Sequence, residues 1–291
     1  MKTLVEAWTA ARDRLAAAGI DTPVIDARVL LEAAAAATRA DLLADPRRPL
    51  SPEQIERLQD YLARRERREP ISHILGRKGF WSIMLQVGPQ VLTPRPDTEL
   101  IVSAALEAFA LSRPFSLLDL GVGSGAIALA ILAERPAARA LGVDASEEAL
   151  AVARENAAQL GLGGRMALLR GDWTTGLNED SFDLVVSNPP YVRSADIATL
   201  DPEVRDYEPR LALDGGADGL DAYRRLAPEI LRVLKPGGRF LVEIGHDQAE
   251  AVTSLFRAAK ADELGVLKDF AGHDRVVGGA KKALGISADN R

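Results

Sequence analysis

Asn188-Pro189-Pro190-Tyr191 is the stretch whose residue types and spacing best suit chemistry on a flat –NH₂ group. It follows an apolar strand, Phe182 to Val186. Two successive prolines at a strand end cannot continue a hydrogen-bonded ladder. They hold the chain rigid, and Pro189 has no N–H to compete with its neighbours. Asn188 offers a side-chain oxygen, and the backbone around Pro189 offers a carbonyl. Two acceptors at fixed spacing can bind both hydrogens of one –NH₂, while Tyr191 lies against the planar group. An amide nitrogen is a poor nucleophile because its lone pair is delocalised into the carbonyl. Gripping both hydrogens favours a nitrogen with more lone-pair character. In isolation the tetrapeptide also reads as a plain rigid turn. Its place at the end of a fourth strand argues against that, because open α/β sheets bind ligands at strand ends.

A second constellation lies upstream. Asp119-Leu120-Gly121-Val122-Gly123-Ser124-Gly125 is a strand running into a glycine-rich turn and then a helix. Glycines let the backbone bend sharply and approach a ligand closely. Asp144 ends the next strand, 21 residues after Gly123, where a carboxylate can accept from both hydroxyls of a ribose. Gly121-x-Gly123-x-x-Ala126 also satisfies the dinucleotide fingerprint, so a nicotinamide or flavin enzyme and a simple structural turn both stay open at this point. Asp119 tilts the choice: a pyrophosphate loop gains nothing from another negative charge, whereas a cofactor with an ammonium and a sulfonium would welcome it. The pattern resembles the first motif of class I methyltransferases. With an activated sulfonium as donor, the protein's main tasks are positioning and electrostatic stabilisation, and no base of unusual pKa is needed. Gly171-Asp172-Trp173 follows the third strand. In proteins of this type an acid there meets the adenine amino group and a neighbouring side chain packs on the ring; a surface Asp with a half-buried Trp is the plainer alternative.

Elements must hold these residues in place. Short apolar segments at Ser116–Leu120, Ala138–Val143, Met166–Arg170, Phe182–Ser187, Arg239–Ile244, Val266–Phe270 and Arg275–Val277 read as strands. Helical segments, Gly125–Glu134 and Ser146–Leu160 among them, lie between the early ones. That alternation predicts a parallel sheet covered on both faces. Before it, the first 75 or so residues read as helices. Thr22 caps one, with Pro23 at its first position. Ser51-Pro52-Glu53-Gln54 is a capping box opening another. That second helix ends in Arg64-Arg65-Glu66-Arg67-Arg68-Glu69, read as a solvated end suited to the helix dipole or as a patch for an acidic or RNA-borne partner. Phe80 to Val91 reads as a β-hairpin. The expected divisions are 1–78 helical, 79–93 hairpin connector and 94–291 the α/β domain. Gly285–Arg291 reads as a frayed end.

Composition limits the classes. Hydrophobic residues at 47% and charged residues at 27% suit an ordinary globular protein. There is no cysteine, which excludes disulfides and thiolate metal sites and fits a reducing cytosol. Met1–Ala10 carries Glu6 and lacks a signal-peptide core, and no apolar run approaches a membrane span. The net charge of -6 is uneven: Met1–Arg95 holds 15 Lys+Arg against 12 Asp+Glu, so the rest carries -9. An acidic catalytic part disfavours a long nucleic-acid footprint. His73, His246 and His273 lack metal-ligand spacing. Gly123-Ser124-Gly125 is no nucleophile elbow, and no phosphate loop is present.

Taken together the chain resembles the bacterial release-factor glutamine methyltransferases over nearly its whole length. The likeness rests on the motifs above and on Leu92-Thr93-Pro94-Arg95-Pro96-Asp97-Thr98-Glu99. It rests also on Tyr207-Glu208-Pro209-Arg210-Leu211-Ala212-Leu213 with Gly215-Gly216 and Asp218-Gly219-Leu220. Further matches are Leu234-Lys235-Pro236-Gly237-Gly238, Glu243-Ile244-Gly245 and Ala271-Gly272-His273-Asp274-Arg275-Val276-Val277. The tetrapeptide alone is shared with DNA adenine and rRNA guanine methyltransferases. Its combination with Pro94-Arg95-Pro96 and Tyr207-Glu208-Pro209 is far more specific.

The resemblance implies a class I, Rossmann-like, mostly parallel seven-stranded sheet with a small N-terminal helical domain that helps dock the substrate protein. It implies methyl transfer from S-adenosylmethionine to N5 of the glutamine in the Gly-Gly-Gln motif of peptide chain release factors. Asp119, Gly121, Gly123, Gly125, Asp144, Asp172, Trp173 and Asn188 would border the cofactor, and Asn188, Pro189, Pro190 and Tyr191 the glutamine amide. Arg95 and Glu99 would gate or touch substrate, the alternative being a linker with a capped helix starting at Asp97. Thr93 and His273 depart from the family's usual residues without touching the acceptor motif. A nucleic-acid amino methyltransferase and a ribosomal-protein glutamine methyltransferase are the alternatives, the latter disfavoured by Pro70-Ile71-Ser72-His73-Ile74-Leu75-Gly76. A cytoplasmic monomer without metal, membrane or nucleic-acid partner is expected.

Overall fold

Local caps start most of the N-terminal helices. In the structure, a computed structural model that describes residues 2–283, these are α1 (Leu4–Ala17), α2 (Pro23–Ala35), α3 (Arg39–Ala44), α4 (Pro52–Glu66) and α5 (Ile71–Leu75). Thr3, Thr38 and Ser51 each form a reciprocal capping box, worth about 1 kcal/mol apiece. Thr22 occupies the cap position of α2 but does not cap it; its hydroxyl donates to Asp26 instead. Leu4, Leu15, Leu30, Leu31, Leu58 and Leu62 face inward at helical spacing and form one core.

This first compact unit comprises the residues up to Arg77 together with a later segment, Asp201–Tyr207. The reason lies in the charge run at the end of α4. Arg65 is buried at 6% exposure, and donates to Asp26 at 2.7 Å and to Glu203 at 2.9 Å. Arg64 forks onto Glu69, and Arg68 pairs with Glu203 and Asp21. The Tyr207 hydroxyl donates to the Arg67 carbonyl. The run is therefore neither a freely solvated helix end nor an open basic patch: its arginines are largely spent inside the unit.

The second unit takes in Lys78–Leu200 and the residues from Glu208 onward. In chain order its elements are β1 (Arg77–Phe80), β2 (Ile83–Gln86), α6 (Glu99–Ala108), β3 (Ser116–Leu120), α7 (Ala126–Glu134), β4 (Arg139–Asp144), α8 (Glu147–Gln159), β5 (Met166–Arg170) and β6 (Phe182–Ser187). After α9 (Pro202–Arg205), which belongs to the first unit, come α10 (Asp221–Val233), β7 (Leu234–Glu243), α11 (Ala249–Ala258), β8 (Ala261–Lys268) and β9 (Asp274–Lys281). β1 and β2 form a two-stranded hairpin, and the other seven strands form one sheet in the order β5-β4-β3-β6-β7-β9-β8. β5 through β7 run parallel; β9 is antiparallel to both its neighbours.

Alternation along the strands divides the apolar residues between two layers. Leu117, Leu184 and Val186 pack with α6, α7 and α8, while Leu118, Val185, Phe240 and Val242 pack with α10 and α11. The sheet is thus a mostly parallel α/β sheet covered on both faces. Three strands are longer than the sequence suggests. β7 begins at Leu234 rather than the expected Arg239 and runs through Pro236-Gly237-Gly238. β8 begins at the polar Ala261-Asp262-Glu263 and stops before Phe270, and β9 runs on through Gly278 and Gly279. The hairpin is shorter, ending at Gln86 rather than Val91. Pro96–Thr98 is a 3-10 turn and α6 starts at Glu99, two residues after the expected Asp97. Gly285–Arg291 lie outside the described residues. Among those described, no helix is long and apolar enough to cross a membrane.

Candidate active site

Strand register builds the site. β3 is the central strand at which the order reverses, with β4 on one side and β6 on the other, and such a switch point opens a crevice at the carboxyl ends of the strands. Leu120 pairs with both Val143 and Ser187, so Gly121, Asp144 and Asn188 leave the sheet side by side. The Ser187 hydroxyl donates to the Leu120 carbonyl at 2.7 Å and ties the two ends together. A cavity of about 400 Å³ lies there, lined by Gly121, Gly123, Asp144, Asp172, Trp173, Asn188 and Pro190 among others. These seven are the sequence-expected residues that the fold gathers around one space. Asp119, Gly125, Pro189, Tyr191, Arg95 and Glu99 do not line it.

The glycine loop is shaped for close approach. Gly121 and Gly123 sit at φ +72° and +53°, where a side chain is strained. A Cβ on Gly121 would point at the Trp173 ring, 3.7 Å away, and at the Asn188 carbonyl. Gly125 opens α7 at φ +84° with no room for a side chain against Leu129. Asp144 accepts from the Gly123 and Ser146 N–H groups at 2.9 Å each, which fixes its carboxylate and leaves further lone pairs for hydroxyls. Asp172 is exposed and paired with Arg225 at 2.9 Å; both line the cavity. Trp173 holds a positive φ of 53°, costly for a bulky residue and typical of functional loops.

Asp119 lies behind the loop rather than on the cavity wall. It is fully buried; one oxygen accepts from the Ala128 N–H in the first turn of α7, and the other, Oδ1, has no partner among the described residues. Burial pushes its pKa up to about 7, against the Ala128 bond and with help from nearby Asp144. The lining therefore suits a nucleoside: glycine backbone, a fixed carboxylate for hydroxyls and an aromatic wall, with a buried carboxyl behind the loop that positive charge in the cavity would help to ionise.

On the other side, Asn188 donates through Nδ2 to the Thr98 hydroxyl at 3.3 Å. Tyr191 turns away from the cavity, and its hydroxyl approaches Glu243 at 3.4 Å. Burial lifts the Tyr191 pKa above its ordinary value, with Glu243 adding to the effect. Glu243 itself is buried and pushed up to about 7 by that burial, and its Oε2 has no hydrogen-bond partner among the described residues. The loop is braced from behind. Gln248 Nε2 donates to the Tyr191 and Gly219 carbonyls. A Cβ on Gly215 would meet the Pro190 carbonyl at 2.8 Å, and one on Gly219 would collide with the Tyr191 carbonyl. Hence the glycines of Gly215-Gly216 and Asp218-Gly219: the acceptor loop lies directly on their backbone.

Arg95 does not reach the cavity. It pairs with buried Glu208 at 2.6 Å, and Glu208 also accepts from the Thr93 N–H. This joins the segment carrying Pro94 and Thr98 to the one carrying Pro209, Leu211 and Ala212, all of which line the cavity. Glu99 instead accepts from the Trp81 N–H in the hairpin turn. Sequence reasoning quoted Thr98, Pro209, Leu211 and Ala212 only as motif residues without a place at the site and passed over Arg225, because their partners lie far away along the chain. It also missed Asn156. Wholly buried, that residue donates to the Ser124 and Gln86 carbonyls and accepts from the Gln86 N–H, pinning the glycine loop to β2. His246 and His273, distant in sequence, meet edge-on with ring centroids 6.3 Å apart.

Comparison with known proteins adds three findings. The PrmC N-terminal domain family matches residues 6–76, and a methyltransferase domain family matches residues 112–281. A Caulobacter vibrioides protein named release factor glutamine methyltransferase is 68% identical over 97% of this chain and 98% of its own. A Cereibacter sphaeroides protein of the same name is 47% identical over 94% and 96%. Among solved structures, a methyltransferase from Pyrococcus furiosus superposes with a TM-score of 0.51 at 20% identity, covering 68% of this chain and 88% of that one; it supports the fold alone.

Proposed function

The chain belongs to the release factor glutamine methyltransferase family, and from that premise we propose how its own residues carry out the reaction. The activity is transfer of a methyl group from S-adenosylmethionine to the side-chain N5 of the glutamine in the Gly-Gly-Gln motif of peptide chain release factors. The observation that carries the site assignment is the register that sets Asn188 beside Gly121 at the mouth of one cavity. Bound there, S-adenosylmethionine supplies a methyl group already activated by a positively charged sulfur.

What remains for the protein is placement. Gly121 and Gly123 would let the backbone come close to the cofactor, Asp144 would accept from its ribose hydroxyls, and Trp173 and Asp172 would hold its base. Asp119 provides negative charge behind the loop. Asn188 Oδ1 and the backbone carbonyl beside Pro189 accept the two amide hydrogens and orient the nitrogen lone pair. As the N–C bond forms, the S–C bond breaks to leave a neutral thioether; the nitrogen becomes acidic and its proton passes to water, with no dedicated base. Tyr191, directed at Glu243, acts as an anchor of the loop. The helical unit serves to dock the release factor, and the enzyme works in the cytoplasm as a monomer.

Incubation with methyl-labelled cofactor and either release factor or nucleic acid tests the assignment. Peptide mapping is expected to find one methyl group on the tripeptide glutamine. Label on nucleic acid alone would refute it; the -9 charge outside Met1–Arg95 weighs against that outcome.

A further inference from the structure

A carboxylate on a cavity rim is free to swing unless something holds it. Asp172 is on such a rim: it lines the cavity, yet its side chain is 64% exposed. What holds it is α10. Arg225, Glu229 and Arg232 stand four and three residues apart on that helix, so they form one row along its surface. All three reach the loop after β5. Arg232 donates to the Thr174 and Leu177 carbonyls at 3.0 and 2.8 Å. Glu229 accepts from the hydroxyl of Thr174, itself buried, at 3.0 Å. Arg225 completes the row: its Nη2 donates to Asp172 Oδ2 at 2.9 Å and lies 3.8 Å from Glu229 Oε1. The guanidinium is thus set between two carboxylates, one of them anchored on a buried threonine. Asp172 Oδ1 stays open among the described residues.

An exposed ion pair adds little to stability, but it can decide recognition. Adenine presents an amino group that donates and, beside it, a ring nitrogen that only accepts. The deaminated base, hypoxanthine, presents a carbonyl oxygen in the first place and a donating N–H in the second. An ionised carboxylate only accepts. If it can move, it follows the donor from one place to the other and binds both bases alike. Held still, it sets oxygen against oxygen when the deaminated base enters. Selection of the amino base therefore needs a carboxylate that is fixed, and the repulsion supplies the discrimination.

We propose that Arg225 is a positioning residue that holds Asp172 against the cofactor's base, so that the cavity selects an amino-bearing purine over its deaminated counterpart. This rests on the reading of Asp172 as the group that meets the base.

The experiment is calorimetry on the full chain with S-adenosylhomocysteine and S-inosylhomocysteine. Neither carries the sulfonium, so removing the arginine charge does not alter an attraction to positive sulfur. The wild type is expected to bind the adenosyl form about tenfold or more tighter. Arg225→Met should cut that preference to about twofold with little change in melting temperature, and Arg225→Lys, which keeps a cation, should recover most of it. In an Asp172→Asn background Arg225→Met should change the preference no further, because the arginine acts only through that aspartate. An Arg225→Met preference within about twofold of the wild-type value, whether or not both ligands weaken together, overturns the proposal; so does a further loss in the Asp172→Asn background. The wild type and Asp172→Asn test the underlying reading separately. A wild type without preference, or a preference that Asp172→Asn leaves intact, defeats the role of Asp172 and the inference with it.

Discussion

Asp119 and Asn188 carry opposite burdens at the residue scale. Asp119 is held behind the glycine loop with a pKa raised to about 7 by burial. The folded protein therefore keeps a proton that the unfolded chain, with an ordinary carboxyl, has released. Stability falls as pH rises from about 4 to about 7, and the penalty is complete above that window. Asp119→Asn should stabilise the cofactor-free protein at pH 8 by roughly 1–3 kcal/mol and change little near pH 4. Denaturant melts at the two pH values measure this, and an equal effect at both would contradict it. The same substitution should weaken cofactor binding, because a neutral amide cannot offset a sulfonium. Asn188 does its work at the reacting centre. Asn188→Ala should lower turnover on the order of 10²-fold or more, with cofactor affinity nearly kept, as read by kcat against a calorimetric Kd. Both residues were legible in the sequence because they sit in compact motifs. Thr98 was not singled out: a threonine after a Pro-Arg-Pro run carries no local sign that it will meet Asn188, 90 residues on.

Elements place these residues by register, and much of that register was readable. The alternation of apolar runs and helical segments predicted β3 to β6 within a residue or so; β3 and β6, buried on both faces, are continuous apolar stretches, and the edge strand β5 was still marked by Met166-Ala167-Leu168-Leu169 although most of it is exposed. The antiparallel margin was harder. β8 is an edge strand with most of its residues exposed or half-buried, so its sequence need not be apolar, and the start of β7 is masked by proline and glycine. The hairpin illustrates a further limit. It is tied to the glycine loop by Asn156, one turn from the end of α8, which reaches across to Gln86 and to the carbonyl of Ser124. A polar residue at that helical position gives no hint of its target. Asn156→Ala would leave backbone groups of β2 and the loop unpaired in a buried setting, costing about 2–3 kcal/mol. Cofactor affinity should fall along with the melting temperature. A variant with normal affinity and a lowered melting temperature would mean that the hairpin supports the fold but not the loop.

For the whole molecule, the feature with the widest reach is the short return of the chain to its helical unit at Asp201–Tyr207. Glu203 joins Asp26 around the buried Arg65, and removing one member of such a cluster strands the others. Arg65→Ala should destabilise the helical unit by about 3–5 kcal/mol, measurable as an earlier unfolding step. The consequence is one of severance. The polypeptide passes between its two parts at Arg77, again at Leu200, and once more at Tyr207, so a single protease cut after Arg77 does not release the helices. Their fragment stays clasped on the Asp201–Tyr207 strip of the other piece, and the nicked protein is expected to travel as one species through gel filtration until Arg65 is replaced.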